Sequence, residues 1–111
     1  MTLQSKLVRV RDALTAIDGL TVYHYWRYVD QPNVCIWQED SEYSSLQADL
    51  HKEEQAIGGT VDYFTRTEYD PVVDEIQEAL NGIESFHWNL NDVMFEEDTM
   101  FIHYSWRWRL L

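Results

Sequence analysis

Near its C-terminus the chain alternates side chains in two runs, residues 86–95 and 100–110, joined by the acidic stretch 96–99. A repeat of two residues is the period of a β-strand, so the two runs predict a long hairpin. In the second run one face holds Met100, Ile102, Tyr104, Trp106, Trp108 and Leu110, and the other holds Phe101, His103, Ser105, Arg107 and Arg109. Because a hairpin cannot bury such an apolar face by itself, the rest of the chain must supply a covering layer, and we expect a second protein to cover what remains.

Two other segments predict amphipathic helices. In residues 2–17 apolar side chains recur at intervals of three and four, and Gly19 lies just beyond the expected end of the helix. The second helix has the stronger signals: Asp70 is a good N-cap, Pro71 suits the first helical position, and Gly82 follows the last turn. Each apolar stripe is expected to pack on a sheet.

Three more strands are predicted between the helices. Residues 21–29 are rich in β-branched and aromatic side chains, and a turn at residues 31–33 precedes the apolar run 34–37, so these two runs predict a first hairpin. A third strand is expected over residues 60–66, where the preceding pair Gly58-Gly59 permits a bulge or a tight bend at its start.

The element order is therefore α-β-β-β-α-β-β, in a single domain over residues 1–111. This order predicts the α+β class: a mostly antiparallel sheet of about five strands with two helices packed on one face. The other face, which carries several Tyr, His and Arg side chains, is expected to be left uncovered by the two helices. The polar stretch 38–55 fits a loop, a short helix near 44–53 or an extended excursion of the sheet.

The charge of the chain restricts its partners. A formal charge of -12 and a pI near 4.4 would repel a phosphate backbone, and the sequence lacks the basic stripe that nucleic-acid binding normally shows. An acidic channel would nevertheless let DNA slide through without adhering. Aromatic residues make up 14% of the chain, and Trp and Tyr serve interfaces as readily as cores, which favours a partner-binding domain.

The charge is also uneven along the chain. Residues 1–36 contain four basic and three acidic residues, whereas the remainder contains seventeen acidic and four basic ones. One interpretation is a solvated surface with arbitrary bias. The other is a first helix that docks on a neighbour's acidic face, which is a head-to-tail contact that closes into a ring if the rotation allows.

No pattern predicts an anchor, a disulfide or a signal peptide. No segment approaches the roughly 20 apolar residues of a membrane span, the N-terminal residues mix apolar and basic side chains, and Cys35 is the only cysteine. We therefore expect a soluble protein that is made and used inside a cell and has no membrane partner.

The sequence predicts neither a metal site nor a catalytic centre. The four histidines, at positions 24, 51, 87 and 103, show no helical ligand spacing, and the acids Glu39, Asp40, Glu42 and Asp49 lack the central glycine of a calcium loop. Cys35 lies between apolar residues, which indicates burial and an inert thiol. We expect a protein that is not an enzyme and uses no cofactor.

Several short segments resemble a family of small proteins encoded among the head-to-tail genes of long-tailed bacteriophages and prophages, of the tail terminator or tail completion type. The similarity covers most of residues 20–109 and is weakest in the N-terminal helix. The segments are Trp37-Gln38-Glu39-Asp40, Ala48-Asp49, residues 57–65 (IGGTVDYFT), Asp70-Pro71, residues 76–80 (IQEAL), Trp88-Asn89-Leu90, residues 95–99 (FEEDT) and residues 102–106 (IHYSW).

The resemblance implies an α+β subunit of a virion protein assembled in the host cytoplasm. Such a subunit forms a ring, typically a hexamer, that caps the tail tube and joins it to the head connector or neck proteins while DNA passes through the lumen. On this basis we expect Lys6, Arg9 and Arg11 to face an adjacent subunit, and the 38–55 excursion to contact the tube or the neck. The expected interface residues are Lys6, Arg9, Arg11, Tyr43, Leu46, Asp49, Leu50, Arg107 and Arg109.

Other functions also fit the composition. The chain has the size and acidity of an inhibitor or regulator that occupies a basic site as a nucleic-acid mimic, and related folds serve as other neck or connector components. A ring subunit associates with its own kind, whereas a mimic binds a basic protein with strong salt dependence. A small enzyme would require three or more convergent polar groups in one pocket, and the sequence offers no such set.

Overall fold

A computed structural model of the protein describes residues 2–26, 31–43 and 55–111. It confirms the α+β class and the order α-β-β-β-α-β-β. The elements are α1 (Leu3–Thr15), β1 (Thr21–His24), β2 (Val34–Tyr43), β3 (Ala56–Thr65), α2 (Pro71–Asn81), β4 (Phe86–Glu96) and β5 (Phe101–Leu110).

The described strands form one sheet in the order β1-β2-β3-β5-β4, with every neighbouring pair antiparallel except β1 and β2. The predicted C-terminal hairpin is confirmed as β4 and β5, which pair from Phe86↔Leu110 to Glu96↔Phe101. A register shift between Leu90 and Asp92 interrupts this ladder. Strand β4 forms one edge of the sheet and the short β1 forms the other.

The predicted first hairpin is wrong. Strand β1 pairs with β2 in parallel, with Thr21 opposite Val34 and His24 opposite Trp37. The chain leaves β1 at Tyr25, which has φ +82°, and enters β2 through Asn33, which has φ +62°. Because β1 has only four residues, the connection over residues 25–33 is long enough to return beside it, although parallel crossovers are usually longer.

The residue before β2, Asn33, is bonded to β3. The backbone N–H of Asn33 donates to the Phe64 carbonyl oxygen, and its side-chain Nδ2 donates to the Tyr63 hydroxyl at 2.9 Å. Strand β2 then continues to Tyr43, so the first part of the 38–55 stretch extends the sheet. Residues 44–54, where a short helix was one of the options, lie outside the described residues, as do residues 27–30.

Both helices pack on the same face of the sheet. Their buried apolar side chains form one core with the inward residues of β2, β3 and β5: Leu7, Val10, Leu14, Ile76 and Leu80 meet Cys35, Trp37, Val61, Tyr63, Trp106, Trp108 and Leu110. The alternation predicted for β5 therefore holds at its C-terminal half, where the side chains of Trp106, Trp108 and Leu110 are buried.

The two glycines of β3 allow aromatic rings to lie against the backbone. A Cβ atom at Gly58 would collide with the Tyr43 ring, and one at Gly59 would collide with the Trp108 ring and the Gln38 carbonyl oxygen. Both glycines lie inside β3 instead of before it, and the bulge lies on the partner strand, between Glu39 and Ser41. The glycines thus place one ring on each face of the sheet.

Candidate interaction surface

The outer half of the β4–β5 hairpin carries an uncovered apolar surface on the side of the sheet where the helices pack. Val93, Phe95 and Met100 are 48%, 53% and 58% exposed. Together with Ile102 they line a concavity of about 680 Å³, at whose rim lie Arg66 and Glu68. We call Val93, Phe95, Met100 and Ile102 the distal patch.

The distal patch is uncovered because the helices are shorter than the strands. At 1.5 Å per residue, the 11 residues of α2 span roughly 16 Å, whereas the 11 residues of β4 span roughly 36 Å at 3.3 Å per residue. The helices cover the half of the hairpin that contains Trp106, Trp108 and Leu110, and Tyr104 marks the boundary as a partly buried residue against the core. Contiguous exposed apolar surface with a polar rim is typical of a protein interaction site.

The face without helices is covered in part by its own side chains. Phe101 is fully buried there, with the Arg66 guanidinium 4.2 Å from its ring centroid. Phe64 is 8% exposed and stacks with the His103 ring at 4.1 Å between centroids. The distal patch therefore lies on the helix side, at the outer half of the hairpin, while Met94, which is 51% exposed, lies on the face without helices.

Arg107 is held in an internal ion pair on the face without helices. Its Nη1 and Nη2 donate to the two carboxylate oxygens of Asp40 at 2.6 and 2.8 Å, and Nη2 also donates to the Ser41 hydroxyl at 3.0 Å. Asp40 is the extra residue of the β2 bulge, which turns its carboxylate toward β5. The hydrogen bonds from Arg107 hold the pKa of Asp40 below its ordinary value. This bidentate pair fixes the Arg107 guanidinium in one orientation.

Arg109 lies beside this pair and is exposed. Its guanidinium carbon is 5.2 Å from the centroid of the Tyr43 ring, the ring that Gly58 allows to lie on the sheet. Arg107, Arg109 and Tyr43 line a concavity of about 270 Å³, together with His87, Trp88, Asn89 and Trp108. We call it the arginine groove. The structure thus brings together three of the predicted interface residues, Tyr43, Arg107 and Arg109.

The three basic residues of α1 have different environments. Lys6 is 1% exposed and its Nζ donates to the Gln55 carbonyl oxygen at 2.6 Å, so its ammonium is not offered to a neighbouring chain and the expectation for Lys6 does not hold. Arg9 donates to the Glu84 carbonyl oxygen at 2.6 Å. Arg11 is exposed and pairs with Asp12 at 2.8 Å, beside it on the same helix. The interface role of Arg9 and Arg11 stays a prediction.

The other predicted interface residues, Leu46, Asp49 and Leu50, lie outside the described residues. Sequence reasoning missed Val93 and Phe95, which the structure places at the centre of the distal patch. A signal for them was present: the predicted helices were too short to cover two strands of ten or more residues.

Two histidines contact carboxylates. His24 Nε2 lies 2.8 Å from Glu39 Oε1, and the Tyr25 hydroxyl donates to Glu39 Oε2 at 2.5 Å. Burial opposes ionisation of Glu39, but the hydrogen bonds from Tyr25 and His24 prevail and lower its pKa. His103 Nε2 lies 2.8 Å from Asp62 Oδ1. Across residues 2–26, 31–43 and 55–111, no three His, Cys, Asp or Glu side chains are grouped as a metal site would require.

Cys35 is completely buried, and burial raises the pKa of its thiol. This environment is the one that the sequence predicts for it. A thiolate is the reactive form of cysteine, so this thiol is chemically inert in the folded chain.

The fold defines an α+β protein with a projecting hairpin, which carries the distal patch and the arginine groove. Comparison of the sequence with protein-family models and with curated proteins finds no match. Neither α1 nor α2, the helices of the described chain, has the length and apolarity that a membrane crossing requires.

Proposed function

We propose that this protein is a structural joining subunit of a long-tailed phage or prophage, of the tail terminator or tail completion type. In this role it forms a ring on the end of the tail tube and presents a docking surface to the head connector. The resemblance of residues 57–65, 95–99 and 102–106 to that family motivates the proposal, and the surfaces of the fold support it.

The observation that carries the proposal is the uncovered distal patch. Val93, Phe95 and Met100 are each about half exposed, on strands that extend beyond the helices. Burying them removes apolar area from water, which stabilises an assembly by about 25 cal/mol per Å² before the costs of association. A joining protein requires such a surface, because its role is to contact other chains.

The charge of the chain supports the same role. Each subunit carries a formal charge of -12, so a ring whose lumen is lined by the acidic surface has a negative channel. A negative channel repels the DNA backbone, and the genome then passes without adhering. The partners in this proposal are other copies of the chain, the tail tube protein and the neck proteins.

Electron microscopy of assembling tails tests the proposal. Tails would be assembled with the wild-type protein, without it, and with Phe95→Ser, a variant that removes apolar area from an exposed position. We expect tubes of uniform length that join heads only with the wild-type protein, and tubes of uncontrolled length or unjoined heads in the other two cases.

The test also has an outcome that contradicts the proposal. Tails that are uniform and join heads in the absence of the protein would overturn it. A monomer that instead binds a basic protein, with affinity that falls steeply as salt rises, would favour the nucleic-acid mimic.

A further inference from the structure

The two ends of the β4–β5 hairpin carry charges of opposite sign. The turn at residues 97–100 holds Glu97 and Asp98, both exposed, and the opposite end holds Arg109. About ten residues of strand separate the turn from Arg109, which is roughly 33 Å at 3.3 Å per residue. Within one chain these groups cannot meet, so a contact between them requires two chains.

The Arg109 guanidinium is held on an aromatic ring and has N–H groups available to bind a carboxylate. Within the part of the chain that the structure describes, no carboxylate or carbonyl oxygen accepts a hydrogen bond from it, and its recorded contact is the face of the Tyr43 ring. Stacking on an aromatic ring restricts a guanidinium while leaving its N–H groups available, and arginine binds carboxylates through two parallel hydrogen bonds. Arg107 beside it is already occupied by Asp40.

The arginine groove around Arg109 has further room for a ligand. Its volume is about 270 Å³, and His87, which is directly opposite Arg109 in the β4–β5 register, lies on the same face. A polar ligand there would meet a cation, an imidazole and the Tyr43 ring.

The turn has the complementary chemistry. Neither Glu97 nor Asp98 forms an ion pair with a described residue, and Arg66 fixes the turn by donating to the Thr99 carbonyl oxygen at 3.0 Å. Phe95 and Met100 flank the two acids and supply apolar contact area. The turn therefore presents two exposed carboxylates beside apolar side chains.

We propose that the acidic turn of one copy of this chain docks in the arginine groove of a second copy, where Glu97 or Asp98 pairs with Arg109. The inference rests on the proposed function and names the contact between subunits. Because the two surfaces are different, the contact is head to tail, and successive copies close into a ring if the rotation allows.

Charge reversal tests the contact. Molar mass would be measured by size-exclusion chromatography with light scattering for the wild type, Arg109→Glu, Glu97→Lys/Asp98→Lys, and the variant that combines all three changes. Each reversal alone is expected to weaken self-association about tenfold or more, since it places like charges together. The combined variant is expected to recover most of the wild-type mass, because the charges are exchanged. This recovery also shows that the single reversals fold.

A control separates the local contact from net charge. Asp18→Lys/Glu78→Lys makes the same change in net charge as Glu97→Lys/Asp98→Lys, at exposed positions on the turn after α1 and on α2, and is expected not to weaken self-association.

The possible failures are distinguishable. A wild-type assembly that Arg109→Glu leaves intact, or a combined variant no better than the single reversals, would overturn this contact while the proposed function stands. A wild type that remains at 13.3 kDa at every concentration would overturn the contact between copies, and tails that form normally without the protein would overturn the proposed function itself.

Discussion

Replacing Asp70 is expected to destabilise the fold strongly, because its carboxylate connects α2 to the sheet. Asp70 is 7% exposed. Its Oδ2 accepts hydrogen bonds from the Tyr63 and Thr65 hydroxyls, both at 2.7 Å, and its Oδ1 accepts from the Val72 backbone N–H at 2.9 Å. One side chain thus caps the helix and satisfies two buried hydroxyls of β3.

The expected loss for Asp70→Ala is about 3 kcal/mol in the free energy of unfolding. Removing an N-cap costs about 1 kcal/mol, and each buried hydroxyl that loses its acceptor costs about 1 kcal/mol or more. Asp70→Asn keeps the shape and one acceptor oxygen, so we expect a smaller loss of about 1–2 kcal/mol. Because small domains have a total stability of only about 5–15 kcal/mol, either loss is measurable.

The same carboxylate makes stability depend on pH. Burial opposes ionisation of Asp70, but the hydrogen bonds from Thr65, Val72 and Tyr63 prevail and lower its pKa below the ordinary value. Since the folded pKa is the lower one, the stabilisation is present above the unfolded pKa and is lost as the pH falls through the folded value. Burial and Asp70 also raise the pKa of Tyr63 to about 12.

Urea unfolding followed by tryptophan fluorescence measures these effects across the acidic range. Wild type should lose stability in acid more steeply than Asp70→Asn, which carries no carboxyl at this position. Two results would refute the reasoning. One is a loss below about 1 kcal/mol for Asp70→Ala, and the other is the same loss of stability in acid for wild type and Asp70→Asn.

Three further outcomes are expected. Gly58→Ala should lower the free energy of unfolding measured in urea by about 1–3 kcal/mol and separate the Tyr43 ring from the sheet, because the new Cβ collides with that ring. Unchanged stability would contradict the close approach of the Tyr43 ring to Gly58. Reversing both charges with Arg9→Glu and Arg11→Glu should weaken assembly if α1 faces a neighbour's acids, and unchanged oligomer mass in light scattering would count against that pairing. Cys35 should react with a maleimide only in urea, since it is fully buried; rapid labelling of the folded chain would show otherwise.

The element order was predictable because most elements have strong local signals. The second helix begins after Asp70 and ends at Asn81, as capping and the following glycine indicate. The C-terminal hairpin follows from its period of two residues. These signals depend on neighbours in sequence, which is why sequence reasoning finds them.

The pairing of β1 was not predictable in the same way. A turn at Pro32 and two apolar runs favour an antiparallel hairpin, but the choice of partner depends on contacts distant in sequence. Asn33 binds Tyr63 and Phe64, which lie thirty residues later, and these bonds fix β2 on β3. The parallel pairing is confined to the four residues of β1, which lie beside Val34–Trp37.

The candidate site was predictable in part. Tyr43, Arg107 and Arg109 were expected at an interface, and they do line one groove. Its geometry depends on the bulge that turns Asp40 toward Arg107, and no local pattern predicts a bulge on β2. The burial of Lys6 could not be predicted from local sequence either, because the Gln55 carbonyl oxygen that accepts its hydrogen bond is remote in sequence.

The central claim is that the outer half of the hairpin is completed by another chain. The most direct measurement compares the molar mass of the wild type with that of Val93→Ser/Phe95→Ser/Met100→Ser, and the stability of both in urea. The claim predicts a wild-type assembly several times heavier than the 13.3 kDa chain and a monomeric variant. At a protein concentration low enough for both to be monomeric, it also predicts free energies of unfolding that agree within about 1 kcal/mol, because these exposed side chains lie outside the core. A variant that assembles like the wild type, or a wild type that never exceeds one chain, would contradict the claim.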